Sequence, residues 1–231
     1  MDKNIVMIIG NGLLSSIFSE YEDDEKILIF ASGVSNSLET RFDEFKREKE
    51  LLYYTLKNIP NRTLVYFSTC AFYENYYDES PYLSHKREME EWITSNVKKF
   101  YILRIPQIIG SKNTNQLLGF LDHKIKNKEK FVLYDVEKNL IDFEFLLTTA
   151  KHIISTNSYI NKTSNIFYPD NIKVRDIVNF LEQIHNVKAN YVIEEKKGNL
   201  IIEKTIDDEI ISKLFPVRIN YYKEKLEEYY G

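Results

Sequence analysis

Cysteine, tryptophan, proline and glycine are all scarce in this chain: one Cys, one Trp, five Pro and seven Gly among 231 residues. The lone cysteine, Cys70, excludes an internal disulfide framework and any metal site built from several thiolates, and it fits a reducing cytoplasm. No Pro/Gly/Ser-rich stretch marks a linker, and no repeat is visible. An excess of charge is also missing. The balance of 31 Lys+Arg against 35 Asp+Glu leaves a net charge of −4, with pI near 5.7, which gives no electrostatic footprint for nucleic acid. Basic clusters such as Lys124 to Lys130 are interrupted by acids and read as solvated helix faces. Long apolar runs are absent too: Ile5 to Ile9 is too short for a signal sequence or a membrane helix, so a cytoplasmic protein with no membrane partner is expected.

What remains is the composition of a globular protein, 43% hydrophobic and 29% charged. A chain of this length buries one good core, and one domain with a small second lobe is the expected organisation. Its wealth of Lys, Asn, Ile and Tyr points to an AT-rich bacterial genome.

Short runs rich in β-branched and aromatic residues predict buried strands at Asn4 to Ile9, Lys26 to Ala31, Thr63 to Phe67 and Phe100 to Ile105. Helical patterns lie between them, at Leu13 to Tyr21, Leu38 to Lys57 and Pro81 to Asn96, the last opening on a proline. This alternation predicts an α/β fold with a parallel sheet. Beyond Gly110 the patterns predict a helix after a polar loop at Lys112 to Asn127, a strand at Lys130 to Tyr134 and a helix at Phe143 to Ser155. A strand at Asn165 to Tyr168, a helix at Val174 to His185, an extended piece at Ala189 to Glu194 and two C-terminal helical segments complete the reading. The predicted division is a nucleotide-binding core at 1–112 and a smaller substrate-binding lobe at 113–231.

Ligands of parallel sheets bind at the carboxyl ends of the strands, where Gly10, Ser32-Gly33, Ser68-Thr69 and Pro106-Gln107 all fall. Gly10-x-Gly12 has the beginning of a dinucleotide turn, the first glycine for the tight turn and the second for close approach to a pyrophosphate, with Ser15 in the third glycine's place. Tyr82 and Lys86 are four apart, a spacing that places a phenol and an ammonium on one helix face and favours the phenolate.

Taken together, Gly10-x-Gly12, Ser68-Thr69 and Tyr82-x-x-x-Lys86 resemble the extended short-chain dehydrogenase/reductase superfamily, in its nucleotide-sugar epimerase/dehydratase group. The resemblance is strong from residue 4 to about 110 and weaker after it. "ILIFASGVSNS" looks like the family's fourth strand, "LVYFSTCAFYE" like the fifth with its catalytic Ser/Thr, and "YILRIPQIIG" like the sixth. The implied fold is a shortened Rossmann-like sheet with helices on both faces and a small C-terminal substrate lobe. The implied activity is NAD- or NADP-dependent reduction or epimerisation of a nucleotide-activated sugar for bacterial surface polysaccharide, by a homodimer pairing through Leu38 to Lys57 and Pro81 to Asn96. An alternative is a catalytically reduced family member, a cofactor-binding sensor or assembly partner.

In that resemblance Tyr82 exchanges the proton, Lys86 lowers its pKa and holds the nicotinamide ribose, and Thr69 binds the reacting oxygen. Cys70 resembles the cysteine of members that epimerise a 4-keto sugar before reducing it. The cofactor set is Gly10, Gly12, Leu13, Leu14, Ala31, Ser32, Gly33, Lys86 and Ile108; the substrate set is Gln107, Asn113 and Arg175. No metal is expected.

Several features depart from the family pattern. The chain passes from Gly12 through a short helix directly to the strand at Lys26, so the family's second and third strands, with the acid that binds the adenosine ribose, are missing. Cys70-Ala71 stands where sugar 4,6-dehydratases carry Asp-Glu, which removes the acid and base for eliminating water. Asn139 replaces an arginine near the substrate diphosphate. The four histidines show no ligand spacing and no nearby carboxylate, and His85 reads as a surface residue. Tyr73, Tyr76 and Tyr77 could stack on a sugar or base, or pack the core.

Overall fold

Apolar strand residues alternate between two faces of a central sheet, and those faces decide where each helix lies. The computed structural model describes residues 7–75, 80–196 and 198–231. Tyr76, Tyr77 and the start of the predicted first strand, at residues 4–6, lie outside that set. In chain order the elements are β1 (Ile8–Ile9), α1 (Leu13–Ile17), β2 (Ile27–Phe30), α2 (Phe42–Asn58), β3 (Thr63–Thr69), α3 (Pro81–Asn96), β4 (Phe100–Ile105), β5 (Gln107–Ile108), α4 (Leu117–Lys126) and β6 (Lys130–Tyr134). They continue with β7 (Glu137–Lys138), β8 (Leu140–Ile141), α5 (Phe143–Thr156), β9 (Lys162–Asn165), β10 (Ile172–Lys173), α6 (Val174–His185), β11 (Asn190–Glu194), α7 (Asp208–Leu214) and α8 (Tyr221–Tyr230).

The described chain forms two compact units. The first takes residues 1–69, 79–104 and 150–164; the second takes 70–78, 105–149 and 165–231.

The first unit is built on a five-stranded parallel sheet in the order β1-β2-β3-β4-β9. Ile9 pairs with Phe30 and Phe30 with Tyr66, so the carboxyl ends of β1, β2 and β3 share one edge. Leu28, Phe30, Leu64, Tyr66, Phe100 and Ile102 form one apolar face, closed by Leu52 of α2 and Met89 and Ile93 of α3. Neighbouring residues on the strands point the other way. There Phe18 packs 5.0 Å from Phe67, the Tyr101 hydroxyl donates to the Ile154 carbonyl of α5, and Lys151 of α5 pairs with Glu20. Helices thus cover both faces, as the sequence pattern predicts.

The strand order runs in one direction. Among the described residues nothing pairs with β1 on its outer side. The β1-to-β2 and β2-to-β3 connections step the same way across the sheet, yet Phe18 and the short 3₁₀ turn after α1 lie on the face opposite α2. The two crossovers are therefore of opposite hand.

Three boundaries differ from the sequence reading. The first helix ends at Ile17, because Phe18 leaves helical geometry, and Ser19–Tyr21 forms a separate 3₁₀ turn. The second starts at Phe42 rather than Leu38: the Glu39 carboxylate accepts from the backbone N–H groups of Thr40 and Arg41, holding a turn in which Leu38 is 81% exposed. The late strand is Lys162–Asn165, not Asn165 to Tyr168. The Tyr168 N–H and carbonyl bind the Asn139 side-chain amide, so a side chain replaces the ladder there.

The second unit carries β5 paired with β8, β6 with β11 and β7 with β10. Tyr168 stacks on Tyr221 at 3.9 Å between centroids, and the Tyr221 hydroxyl donates to the Asp142 carboxylate and accepts from the Asp142 N–H. Among the described residues, no helix is long and apolar enough to cross a membrane.

Candidate active site

At α3 the sequence sets the entry. The Ser80 side chain accepts from the Leu83 N–H at 3.2 Å and Pro81 occupies the first turn, an N-cap that fixes the helix phase. That phase turns Tyr82, His85, Lys86, Met89, Glu90 and Ile93 inward, and all are buried.

Lys86, 2% exposed, donates 2.9 Å to Glu48 Oε1 and 3.1 Å to the Tyr66 hydroxyl. The Tyr66 hydroxyl donates 2.5 Å to the same carboxylate oxygen. Glu48 Oε2 accepts from the Val34 N–H at 2.6 Å and meets His85 Nε2 at 3.0 Å. Burial alone would raise the Glu48 carboxyl; the Lys86 charge and the three other donors outweigh it and bring it down to about 2. Tyr66 is driven well above its ordinary value by burial first and by the Glu48 charge second, so it remains a neutral phenol. His85 is buried against Glu48, with Phe45 stacked on its ring at 4.7 Å. This corrects the surface reading of His85: its carboxylate partner lies 37 residues away in the chain. Two further histidines also have distant or local acids, His185 with Asp122 and His123 with Glu129, but among the described residues no three potential ligands form a metal cluster.

The glycine turn sits at the same strand-end edge. Gly10 has φ +137°, and a Cβ there would lie 2.5 Å from the Ala31 carbonyl oxygen, so the turn requires glycine. A Cβ on Gly12 would meet nothing within 4 Å, leaving open space beside the backbone. The α1 helix that follows has only five residues, and Ser15 returns its hydroxyl to the Gly12 carbonyl. Leu13 and Leu14 are half-buried in it. Ala31, Ser32 and Gly33 are half-buried where β2 ends; Arg47 donates to the Ser32 carbonyl, and a Cβ on Gly33 would lie 2.9 Å from Lys86 Nζ. Thr69 is buried at the end of β3, beside Ser68, whose hydroxyl is buried without a hydrogen-bond partner.

Open space at Gly12 and an orphaned hydroxyl at Ser68 suit the near part of a dinucleotide, while the space beside Gly33 is taken by Lys86 and Glu48. Among the described residues there is no strand beyond β1 to carry the acid that reads an adenosine ribose.

The remaining sequence-predicted residues belong to the second unit. Cys70 is buried and opens a 3₁₀ turn. Gln107 and Ile108 form β5, half-buried against Leu140 and Ile141. Asn113 is exposed, its side chain accepting from the Asn115 N–H. Arg175 pairs with Asp135 at 2.7 Å. Asn139 is buried, and its amide donates to the carbonyls of Tyr168 and Asp170. The sequence reading missed Glu48 and Tyr66. Glu48 stands in the charged run Lys46-Arg47-Glu48-Lys49-Glu50, and nothing local separates it from its solvated neighbours.

The fold is the Rossmann-like parallel sheet on which dinucleotide cofactors are bound at strand ends. More particularly, it is the fold of solved nucleotide-sugar enzymes. RMD of Pseudomonas aeruginosa, complexed with NADPH, is 14% identical with a TM-score of 0.66 over 89% of this chain and 81% of that one. UDP-glucuronic acid 4-epimerase of Bacillus cereus, in complex with UDP-glucuronic acid and NAD, is 14% identical with a TM-score of 0.65 over 100% of this chain and 80% of that one. A dTDP-4-dehydrorhamnose reductase from Clostridium acetobutylicum is 13% identical, with a TM-score of 0.65 over 94% and 84%. No family model and no curated protein matches the chain.

Proposed function

We propose that this chain is an NAD- or NADP-dependent oxidoreductase or epimerase acting in the bacterial cytoplasm on a nucleotide-activated sugar. It reduces a 4-keto group or inverts a ring centre in the making of a surface polysaccharide. The observation that carries this reading is the inward face of α3, where Tyr82 and Lys86 are both buried and Lys86 reaches the end of β2 at Gly33. The fold shared with enzymes solved in complex with NADPH, and with NAD and a nucleotide sugar, supports it.

A bound nicotinamide supplies or takes up the hydride. The chain's own residues do the rest. Tyr82 exchanges a proton with the sugar oxygen, Thr69 hydrogen-bonds that oxygen, and Lys86 favours the phenolate while holding the ribose hydroxyls. Gly10, Gly12, Leu13 and Leu14 with Ala31, Ser32 and Gly33 hold the cofactor along the strand ends of the first unit. Gln107, Asn113 and Arg175 take the substrate, and Cys70 relays a proton in the epimerising version. Residues 1–112 serve as the nucleotide-binding core and 113–231 as the substrate lobe. Two copies pair through α2 and α3.

A second reading, a cofactor-binding sensor or assembly partner without turnover, is favoured by one observation: β1 is an edge strand, so the adenosine side of the groove is cut back. Titration with NADH and NADPH, followed by nicotinamide fluorescence, tests both readings. Binding with turnover of a nucleotide 4-keto sugar is expected. Binding without turnover of any nucleotide sugar favours the second reading, and no response at millimolar cofactor removes both.

A further inference from the structure

Lys86 enters the proposed mechanism as a cation, yet the fold gives it a counter-charge. Glu48 is 0% exposed and its two oxygens collect four partners: the Lys86 ammonium and Tyr66 hydroxyl on Oε1, the Val34 N–H and His85 Nε2 on Oε2. The partners come from α3, β3 and the segment after β2, so the carboxylate is fixed from three directions. An ammonium has three N–H groups. Glu48 and Tyr66 take two of them, which leaves one. Gly33 supplies the room, since a Cβ there would stand 3.0 Å from Glu48 Oε1 as well as 2.9 Å from Lys86 Nζ.

We propose that Glu48 is a positioning residue for Lys86: it holds the ammonium stationary inside the protein, so that a ligand meets one fixed N–H of an ion pair rather than a free cation. This rests on the reading that Lys86 faces the cofactor, and it deepens that reading by naming the residue that fixes Lys86 in place. Beside a carboxylate, the ammonium offers a phosphate less net attraction than it would alone, while it still favours an anion in direct contact with it.

A double-mutant cycle on NADH affinity tests this, using wild type, Glu48→Gln, Lys86→Met and the double variant. Glu48→Gln is expected to weaken NADH about tenfold in the wild-type background and to change it less than about twofold in the Lys86→Met background. Glu48→Gln alone leaves a buried ammonium unpaired and folds poorly. Glu48→Asp therefore serves beside it, because it keeps the charge and draws the carboxylate back by one methylene. A positioning role predicts weaker NADH binding and a lower kcat in Glu48→Asp, with KM for the sugar unchanged.

Equal losses from Glu48→Gln in the two backgrounds, or wild-type NADH affinity in Glu48→Asp, overturn the proposal while leaving the cofactor reading standing. A wild-type protein that binds neither NADH nor NADPH overturns both.

Discussion

Tyr82 and Lys86 are legible in the sequence because their relation is local: four residues on one helix, with Ser80 and Pro81 announcing where that helix begins. Glu48 is not, because what buries it lies 37 and 38 residues away in the chain. The same distance hid His85, whose flanking Ser84 and Lys86 resemble a solvated turn. At Tyr82 the expected result is simple. Tyr82→Phe removes the phenolic proton and keeps the ring, so turnover is lost, while NADH affinity, read by fluorescence, stays within about twofold of wild type. At the glycines two substitutions separate folding from binding. Gly10→Ala forces a Cβ into the Ala31 backbone at a positive φ and should cost about 2 kcal/mol or more, seen as a lower urea midpoint. Gly12→Ala meets open space, so its urea midpoint should match wild type; if a pyrophosphate uses that space, its NADH affinity falls.

Glu48 also makes an acid-side contribution to stability. With its carboxyl brought down to about 2 in the folded protein from an ordinary 4.5, its stabilisation is complete above 4.5 and is lost as pH falls towards 2. Urea midpoints measured between pH 7 and pH 3 should therefore decline less steeply for Glu48→Gln/Lys86→Met than for wild type. Equal slopes would show that the buried carboxylate is not held in its charged form by the fold.

Among the elements, α3 matches its predicted bounds because cap, proline and periodicity agree. At α2 they conflict: Leu38 and Phe42 continue the apolar spacing, but Glu39 ties up the backbone of Thr40 and Arg41, and Phe42 ends 74% exposed. The Ile166 to Tyr168 run has strand composition but no ladder, since Asn139, from a distant segment, supplies the partner atoms. The cap itself is testable. Ser80→Ala removes the acceptor for the Leu83 N–H and should cost about 1 kcal/mol in thermal melts. Because that cap sets the phase presenting Tyr82, kcat should fall with it.

For the whole molecule, the alternation of strands and helices along the chain was legible, and the order of the strands in the sheet was not read. The opposite hand of the first crossover could not be inferred, since handedness depends on which face α1 chooses and its few apolar residues do not specify one. Exposed aromatics on α2, Phe42, Tyr53 and Tyr54, with Trp92 of α3 edge-on to Tyr53 at 6.4 Å, suit the proposed pairing of two copies. Light scattering should give twice the 27.5 kDa chain mass, and Tyr53→Glu/Tyr54→Glu should halve it. A monomeric wild type at working concentration contradicts the pairing.

The position of β1 at the margin of the sheet bears on selectivity. Dinucleotide-binding folds of the Rossmann type separate NADH from NADPH at the adenosine ribose, by an acid or a cation following the strand next to β1. Among the described residues no such strand stands there. On the proposed reading this edge offers nothing to tell the two cofactors apart, so titrations with NADH and NADPH should give affinities within a few-fold of each other; a strong preference for one would place the discriminating group elsewhere.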